Sequence, residues 1–449
     1  MTAAQSQTPA ESKLEALQCH FTWDINLSRA TLFRYRDKLE DIVDDEGNIW
    51  LGHIYNLQGF IHYKLGLTED AVSFFSRAAE ALCQIRQAAS DEGPWLMVNY
   101  GNQAWLHHHL GQEAESQAYL SKVDALMNKY PYPSQEELHA EIYAEKAWTL
   151  MKFSRDKKAL VVDYFERAIR MQPDMVEWQS SHTIALMHSL KYSNTGLHTD
   201  ILEEIRKAKE QDPENLYLAV HYLQQLAKKG ERIKDEAREL AAKVLRNPVS
   251  SYSGIKALLM VFMKHISANE AIDLAEETVK QHPDERYLKR CAALCYKWRI
   301  IFFRDSHSSD TSTTDRAISL HKEVISLYPH SSLVKKIDLA NIYAKSKDGL
   351  AQAEQMYQDL LGSDLEPADR QMLYNHYAKY LNFDQHNSTG SIQYHMKAAQ
   401  IPQQSFFQRN SIRVLEKIAE TNRNWLCRDI KEFLAQLQSS NERNQVVNE

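Results

Sequence analysis

The sequence predicts an all-α protein, a superhelix of stacked helix-turn-helix repeats, and three observations lead there. Apolar residues recur at helical spacing, as in Ile337, Ala340 and Ala344, with a lapse at Asn341, or Tyr374, Tyr377, Ala378 and Leu381, and no segment shows the alternation of a strand. Prolines mark a regular interval: Pro213 to Pro248 and Pro248 to Pro283 are 35 residues each. That is the length of one two-helix unit, and each Pro ends one helix before the next begins. Only 13 Gly and 11 Pro are spread over 449 residues, so no linker is evident and one continuous array is expected.

The clearest unit runs from Leu57 to Ala78, where Gly59, Gly66, Ala71, Phe75 and Ala78 fall at the small and large positions of a tetratricopeptide-type hairpin. Small residues are needed where two antiparallel helices approach closely, and the aromatic fills the gap between them. Later units keep the punctuation: Phe165, Ala168 and Pro173, then Ala208 and Pro213, then Pro248 and Pro283. Pro329 follows after 46 residues, and the extra length holds the polar run Asp305 to Asp315, read as a surface loop between helices.

Composition excludes several classes. No apolar run approaches the roughly 18 residues that cross a bilayer, and Met1 to Ser12 lacks a signal pattern, so a cytoplasmic protein without membrane contact is expected. Five cysteines show no framework of spacings and are read as reduced thiols. Cys291 and Cys295 would share a helix face, but with no Cys or His pair at ligand spacing nearby they read as core thiols, not a metal site. Walker, dinucleotide, HExxH and nucleophile-elbow motifs are absent, so no enzyme activity and no cofactor are expected.

The net charge of −7 argues against generic nucleic-acid binding and leaves DNA unexpected, yet its distribution is uneven: −10 over residues 1–150, +4 over 151–300 and −1 over 301–449. The chain accordingly divides into a polar tail (1–12), an acidic N-terminal repeat segment (13–150), a basic central one (151–300), a C-terminal one (301–439) and a frayed tail (440–449). The basic centre is either an anion site or a chance fluctuation of solvated faces.

Two constellations carry possible chemistry. Tyr217, Tyr252 and Tyr287 each stand four residues after a repeat proline, beside Lys256, Lys289 and Arg290. As a column they would offer stacking faces to bases, or act as staples at helix starts. Trp148 and Lys152, four apart on one helix face, pair an aromatic wall with a cation, or Trp148 fills the core.

The stretches Cys19-His20-Phe21-Thr22-Trp23, Asn99-Tyr100-Gly101-Asn102-Gln103-Ala104-Trp105, Glu145-Lys146-Ala147-Trp148 through Lys152-Phe153, and Leu294-Cys295-Tyr296-Lys297 resemble the interferon-induced proteins with tetratricopeptide repeats. The resemblance implies a cytoplasmic antiviral effector that captures the 5′ end of foreign single-stranded RNA, triphosphorylated or incompletely capped, in a basic cavity and sequesters it from translation. It also implies contacts with translation initiation factors or related repeat proteins. Carried over by position, Trp148 is similar to the pocket tryptophan, Lys152 to a phosphate-binding lysine and Tyr217 to a pocket tyrosine. Lys256 falls at a basic position, and Arg34 and Lys38 fall in the helix that contacts the triphosphate. The chain departs from the family at Ile42 (commonly glutamine), Lys158 (tyrosine), His188 (arginine) and Cys291 (glutamine), which leaves cap against triphosphate preference open, while Lys158 and Arg290 add cations to the same region. The alternative on residues alone is a protein-binding scaffold, since such arrays commonly hold peptides in their groove.

Overall fold

The computed structural model describes residues 9–25, 27–42, 49–85, 92–134, 137–153, 157–190, 201–246, 253–302, 311–421 and 425–446. These form two compact units, Met1–Ile266 and Ser267–Glu449, a different division of the chain from the charge-based segments of the sequence. No strand occurs among the described residues, only an isolated bridge between Ser134 and Glu137. No helix among them is long and apolar enough to cross a membrane.

The first unit begins with α1 (Pro9–Glu15), whose first four residues fall in the segment read as a polar tail, and α2 (Arg29–Glu40). Hairpins follow: α3 (Leu51–Leu65) with α4 (Thr68–Ile85), α5 (Met97–His109) with α6 (Glu113–Lys129), and α7 (Ala140–Phe153) with α8 (Lys158–Met171). Then come α9 (Val176–Leu190) with α10 (Ile201–Gln211), α11 (Leu216–Lys228) with α12 (Lys234–Arg246), and α13 (Ile255–Val261). The two helices of each hairpin pack on each other, and first helices lie beside first helices, α3 by α5, α7 by α9 and α11 by α13. The second unit has α14 (Ala268–Gln281), α15 (Arg286–Phe302), α16 (Thr311–Leu327), α17 (Leu333–Lys345), α18 (Leu350–Leu361), α19 (Pro367–Phe383), α20 (Ser388–Gln400), α21 (Phe406–Thr421) and α22 (Cys427–Val446). There α15, α17, α19 and α21 pack in succession. The all-α array of helical hairpins expected from sequence is what both units contain.

The punctuation works as the spacing implies. Pro173, Pro213, Pro283 and Pro329 each stand two residues past a helix end, after Met171, Gln211, Gln281 and Leu327. Proline has no N–H to continue the ladder and its ring disfavours helix in the residue before it. Two expectations change. The polar run 305–315 is not wholly a loop, because α16 starts at Thr311; Asp315 lies inside its first turns. The tail read as frayed is helical as far as Val446.

Close approach within α3 and α4 depends on the small residues singled out. A Cβ on Gly59 would lie 2.7 Å from the Phe75 ring, and one on Gly52 would lie 2.4 Å from Leu82. Gly66 closes the hairpin with φ 84°, a left-handed conformation that favours glycine. Phe75 is fully buried, worth roughly 1.5–3 kcal/mol of transfer from water. A Gly59→Val change is therefore expected to lower stability by about 1–3 kcal/mol through overpacking, read as a lower urea midpoint. Pairing it with Phe75→Leu should restore part of the loss; a double variant no better than the single one would place the strain elsewhere.

Candidate functional site

The two sequence motifs nearest the N-terminus meet in the first unit. The turn Cys19–Trp23 lies against α5, where the absent Cβ of Gly101 lets Cys19 approach (a Cβ there would be 3.1 Å from the Cys19 Cβ). The backbone N–H of His20 donates to Asn102 Oδ1 at 3.0 Å, Asn102 Nδ2 donates to His20 Nδ1 at 3.0 Å, and the His20 Nε2 edge faces Thr149 Oγ1 at 3.3 Å. Burial pushes the imidazole down to about 3, so the ring is neutral, accepting at Nδ1 and donating at Nε2. Beside it Asn56 Nδ2 donates to Glu145 Oε1 at 2.9 Å, Asn99 Nδ2 to Asn56 Oδ1 at 2.8 Å, and Gln103 Nε2 to Asn99 Oδ1 at 2.6 Å. These side chains knit α3, α5 and α7 together.

Glu145, Trp148 and Lys152 stand on one stripe of α7, three and seven residues along. Burial raises the Glu145 carboxyl to about 8 against the opposing hydrogen bond from Asn56. Burial lowers the Lys152 ammonium to about 7, and its Nζ lies 4.5 Å from the centre of the Trp148 ring, a cation–π contact. Tyr35 on α2 donates its hydroxyl to the Lys152 carbonyl, packs edge-on against Phe153 with centroids 4.4 Å apart, and carries Lys38 Nζ 4.5 Å over its ring. Tyr35 thus ties α2, with Lys38 over its ring, to the C-terminal end of α7.

Trp148 is 1% exposed, stacked on Trp50 at 5.7 Å and 15°. A cavity of about 20 Å³, room for one water, lies beyond Trp50 among His53, Trp95, Glu141, Met175 and Trp178. The tryptophan read as a stacking wall for an RNA end is therefore covered, because a second indole occupies the flat surface a base would use. Ile42 is buried in the same core, an apolar position one turn past the exposed Lys38.

The other sequence candidates are placed as follows. Arg34, half-buried, donates to Thr31 Oγ1 at 2.8 Å. Lys158, at the start of α8, donates to the His188 carbonyl at 2.9 Å, its charge directed at the C-terminal end of α9. Tyr217 rests edge-on against His221 at 4.5 Å, and the Lys256 side chain is exposed on α13. Tyr252 lies outside the described residues. Tyr287 and Arg290 belong to the second unit, where Tyr287 is 3% exposed and Arg290 lies over the Tyr287 and Tyr328 rings at 5.1 and 5.2 Å. Tyr287 is thus a core residue, so the column is not an open ladder of rings. Cys291 and Cys295 are buried, and the described residues hold no metal-binding group.

Sequence reasoning passed over Trp50, Tyr35, Asn56 and the role of Glu145. The available signal was polar side chains on otherwise apolar helix stripes, such as Asn56 between Ile54 and Leu57, since a buried amide has to find partners.

No family model matches the chain. Human "Antiviral innate immune response effector IFIT1" is 24% identical over 421 residues, 91% of this chain and 87% of that one. Human "Interferon-induced protein with tetratricopeptide repeats 2" is 23% identical over 457 residues, 98% of this chain and 94% of that one. The chain is similar to the interferon-induced proteins with tetratricopeptide repeats over nine tenths of its length. Among solved structures, the human IFIT1 dimer with PPP-AAAA aligns with a TM-score of 0.66 at 22% identity, covering 96% of each chain. An IFIT1 monomeric mutant with Gppp-AAAA aligns at 0.68 and 21%, covering 98% of this chain and 100% of that one. Human IFIT1 with m7Gppp-AAAA aligns at 0.67 and 23%, covering 96% and 95%. These structures share the fold of this chain.

The raised Glu145 predicts a pH signature. A carboxyl whose folded value is about 8, against an unfolded value near 4.5, contributes most stability below the unfolded value and loses it as pH rises towards 8. Glu145→Gln should show no such loss, so its urea midpoint should rise relative to the parent between pH 5 and pH 8. A constant difference across that range would mean the carboxyl does not titrate there.

Proposed function

We propose that this protein is a cytoplasmic antiviral RNA-binding effector that captures the 5′ end of foreign single-stranded RNA, triphosphorylated or incompletely capped, and sequesters it from translation. Function rests on occupancy, with no chemical step and no cofactor. The observation that carries the reading is Lys152, an ammonium held out of water against an indole and lowered to about 7 by burial. A polyphosphate arriving there offsets the desolvation with charge-assisted hydrogen bonds. Lys38 on the Tyr35 ring supplies a second cation in the same neighbourhood, and Arg34 and Lys158 add charge on α2 and α8. Likeness to IFIT1, whose solved structures hold PPP-, Gppp- and m7Gppp-AAAA, supports the same ligand class here.

A gel shift comparing 5′-triphosphate, capped, 5′-hydroxyl and circular forms of one short RNA tests it at two salt concentrations. Selective binding to one end type that weakens with salt is expected, and Lys152→Glu should abolish selectivity while helicity is unchanged. Equal weak binding to all four would overturn end capture.

Because Lys152 is half charged near neutrality, affinity for the triphosphate should fall as pH rises from 7 to 9, by at most about tenfold per unit. Lys152→Arg should flatten that dependence, since guanidinium stays charged throughout.

Trp50→Ala should uncover the Trp148 ring and strengthen end binding; unchanged affinity would mean the indole pair does not limit access. The net −10 of residues 1–150 favours a second role, contact with a basic protein partner such as a translation initiation factor or a related repeat protein. Association surviving nuclease treatment would support it.

A further inference from the structure

The small cavity of the first unit is lined by three indoles and an acid: Trp50, Trp95 and Trp178 surround it together with Glu141. Among the described residues neither lysine nor arginine lines it. Glu141 and Trp178 are buried, whereas Trp50, Trp95 and the apolar Ile49, Ile85 and Met175 are half-buried. The carboxylate therefore lies on the inner side, and apolar groups border the solvent.

Both kinds of group are held in place. Glu141 stands in the first turn of α7, where the helix dipole favours negative charge, and Gln172 Nε2 donates to its Oε1 at 2.8 Å. Trp95 belongs to the short turn Pro94–Leu96, and its ring folds back on the chain, since a Cβ on Gly93 would lie 2.2 Å from it. His53, also in the lining, faces Glu145 one turn along α7 at 3.9 Å.

A carboxylate and three π-faces in one lining attract a cation and repel a phosphate. Volume then chooses among cations. At about 20 Å³ the cavity has room for one water, a size that an ammonium matches and that a guanidinium or a trimethylated ammonium exceeds. We infer that this cavity is a receptor for the ammonium of a lysine side chain presented by a protein partner. The apolar lysine stem passes Ile49, Ile85 and Met175 while the charged head meets the indoles and Glu141. A protein source agrees with the 11 basic and 21 acidic residues of positions 1–150, a balance that draws a basic segment towards this part of the chain. The inference rests on the second role proposed above, contact with a basic partner, and names its site; the RNA end has no part in it.

The test titrates the full-length chain with an acetylated pentapeptide carrying one central lysine, with its arginine and trimethyllysine counterparts, and with n-butylammonium, followed by tryptophan fluorescence. The lysine peptide should bind saturably and about tenfold more tightly than either counterpart. Glu141→Gln, which keeps an acceptor for Gln172, should weaken lysine-peptide binding about tenfold with helicity and urea midpoint unchanged, and Trp95→Leu should weaken it about threefold. Equal binding of the lysine and arginine peptides, or parental affinity in Glu141→Gln, would overturn the proposal. So would binding of n-butylammonium without binding of the peptide, which would assign the cavity to free amines. Nuclease-resistant association that persists undiminished in Glu141→Gln would leave the second role standing and overturn this site; lysine-peptide binding with no such association would support the site and overturn the second role.

Discussion

The seam between α3, α5 and α7 is polar in the middle of a buried core. Asn56, Asn99, Gln103 and Glu145 form one hydrogen-bonded chain, and His20, Asn102 and Thr149 form another. Apolar contact alone tolerates sliding of one helix past its neighbour; a buried amide does not, because each lost partner leaves a desolvated group costing about 1–3 kcal/mol. The seam therefore holds three first helices at one register, and the position of Trp148 and Lys152 on α7 follows from it. The Cys19–Trp23 turn is part of the same joint, which gives a physical reason for a distinctive pentapeptide ahead of the repeats.

Burial acts oppositely on two charges of one stripe. Glu145 is raised to about 8 and Lys152 lowered to about 7, so near neutrality the stripe carries far less charge than its residues suggest. A site of this kind gains charge when an anion arrives, and desolvation becomes a source of selectivity. Trp50 adds a steric condition, since its indole lies on Trp148.

The repeat architecture was legible because it is written in local chemistry. Gly59 and Phe75 declare a close helix crossing by size alone, and a proline stops a helix wherever it stands. The stretches around His20 and Asn102 were equally visible as unusual, though their mutual contact was not. The site was legible only in part. Trp148 and Lys152 could be paired by their spacing of four, and Lys38 joined to them only once Tyr35 was seen to bridge α2 and α7. Tyr217 and Tyr287 share a place in the repeat yet differ in exposure, the first half-buried and the second in the core.

By itself, then, the sequence determined the helices, their hairpin pairing and the identity of the chemical groups available, because propensity, periodicity and helix termination act over a few residues. Only the tertiary structure decided which groups are wet or dry, that Trp50 covers Trp148, and that Glu145 and Lys152 shift towards neutrality. Those outcomes depend on residues distant in the chain, and desolvation is a property of the surroundings that no single residue carries.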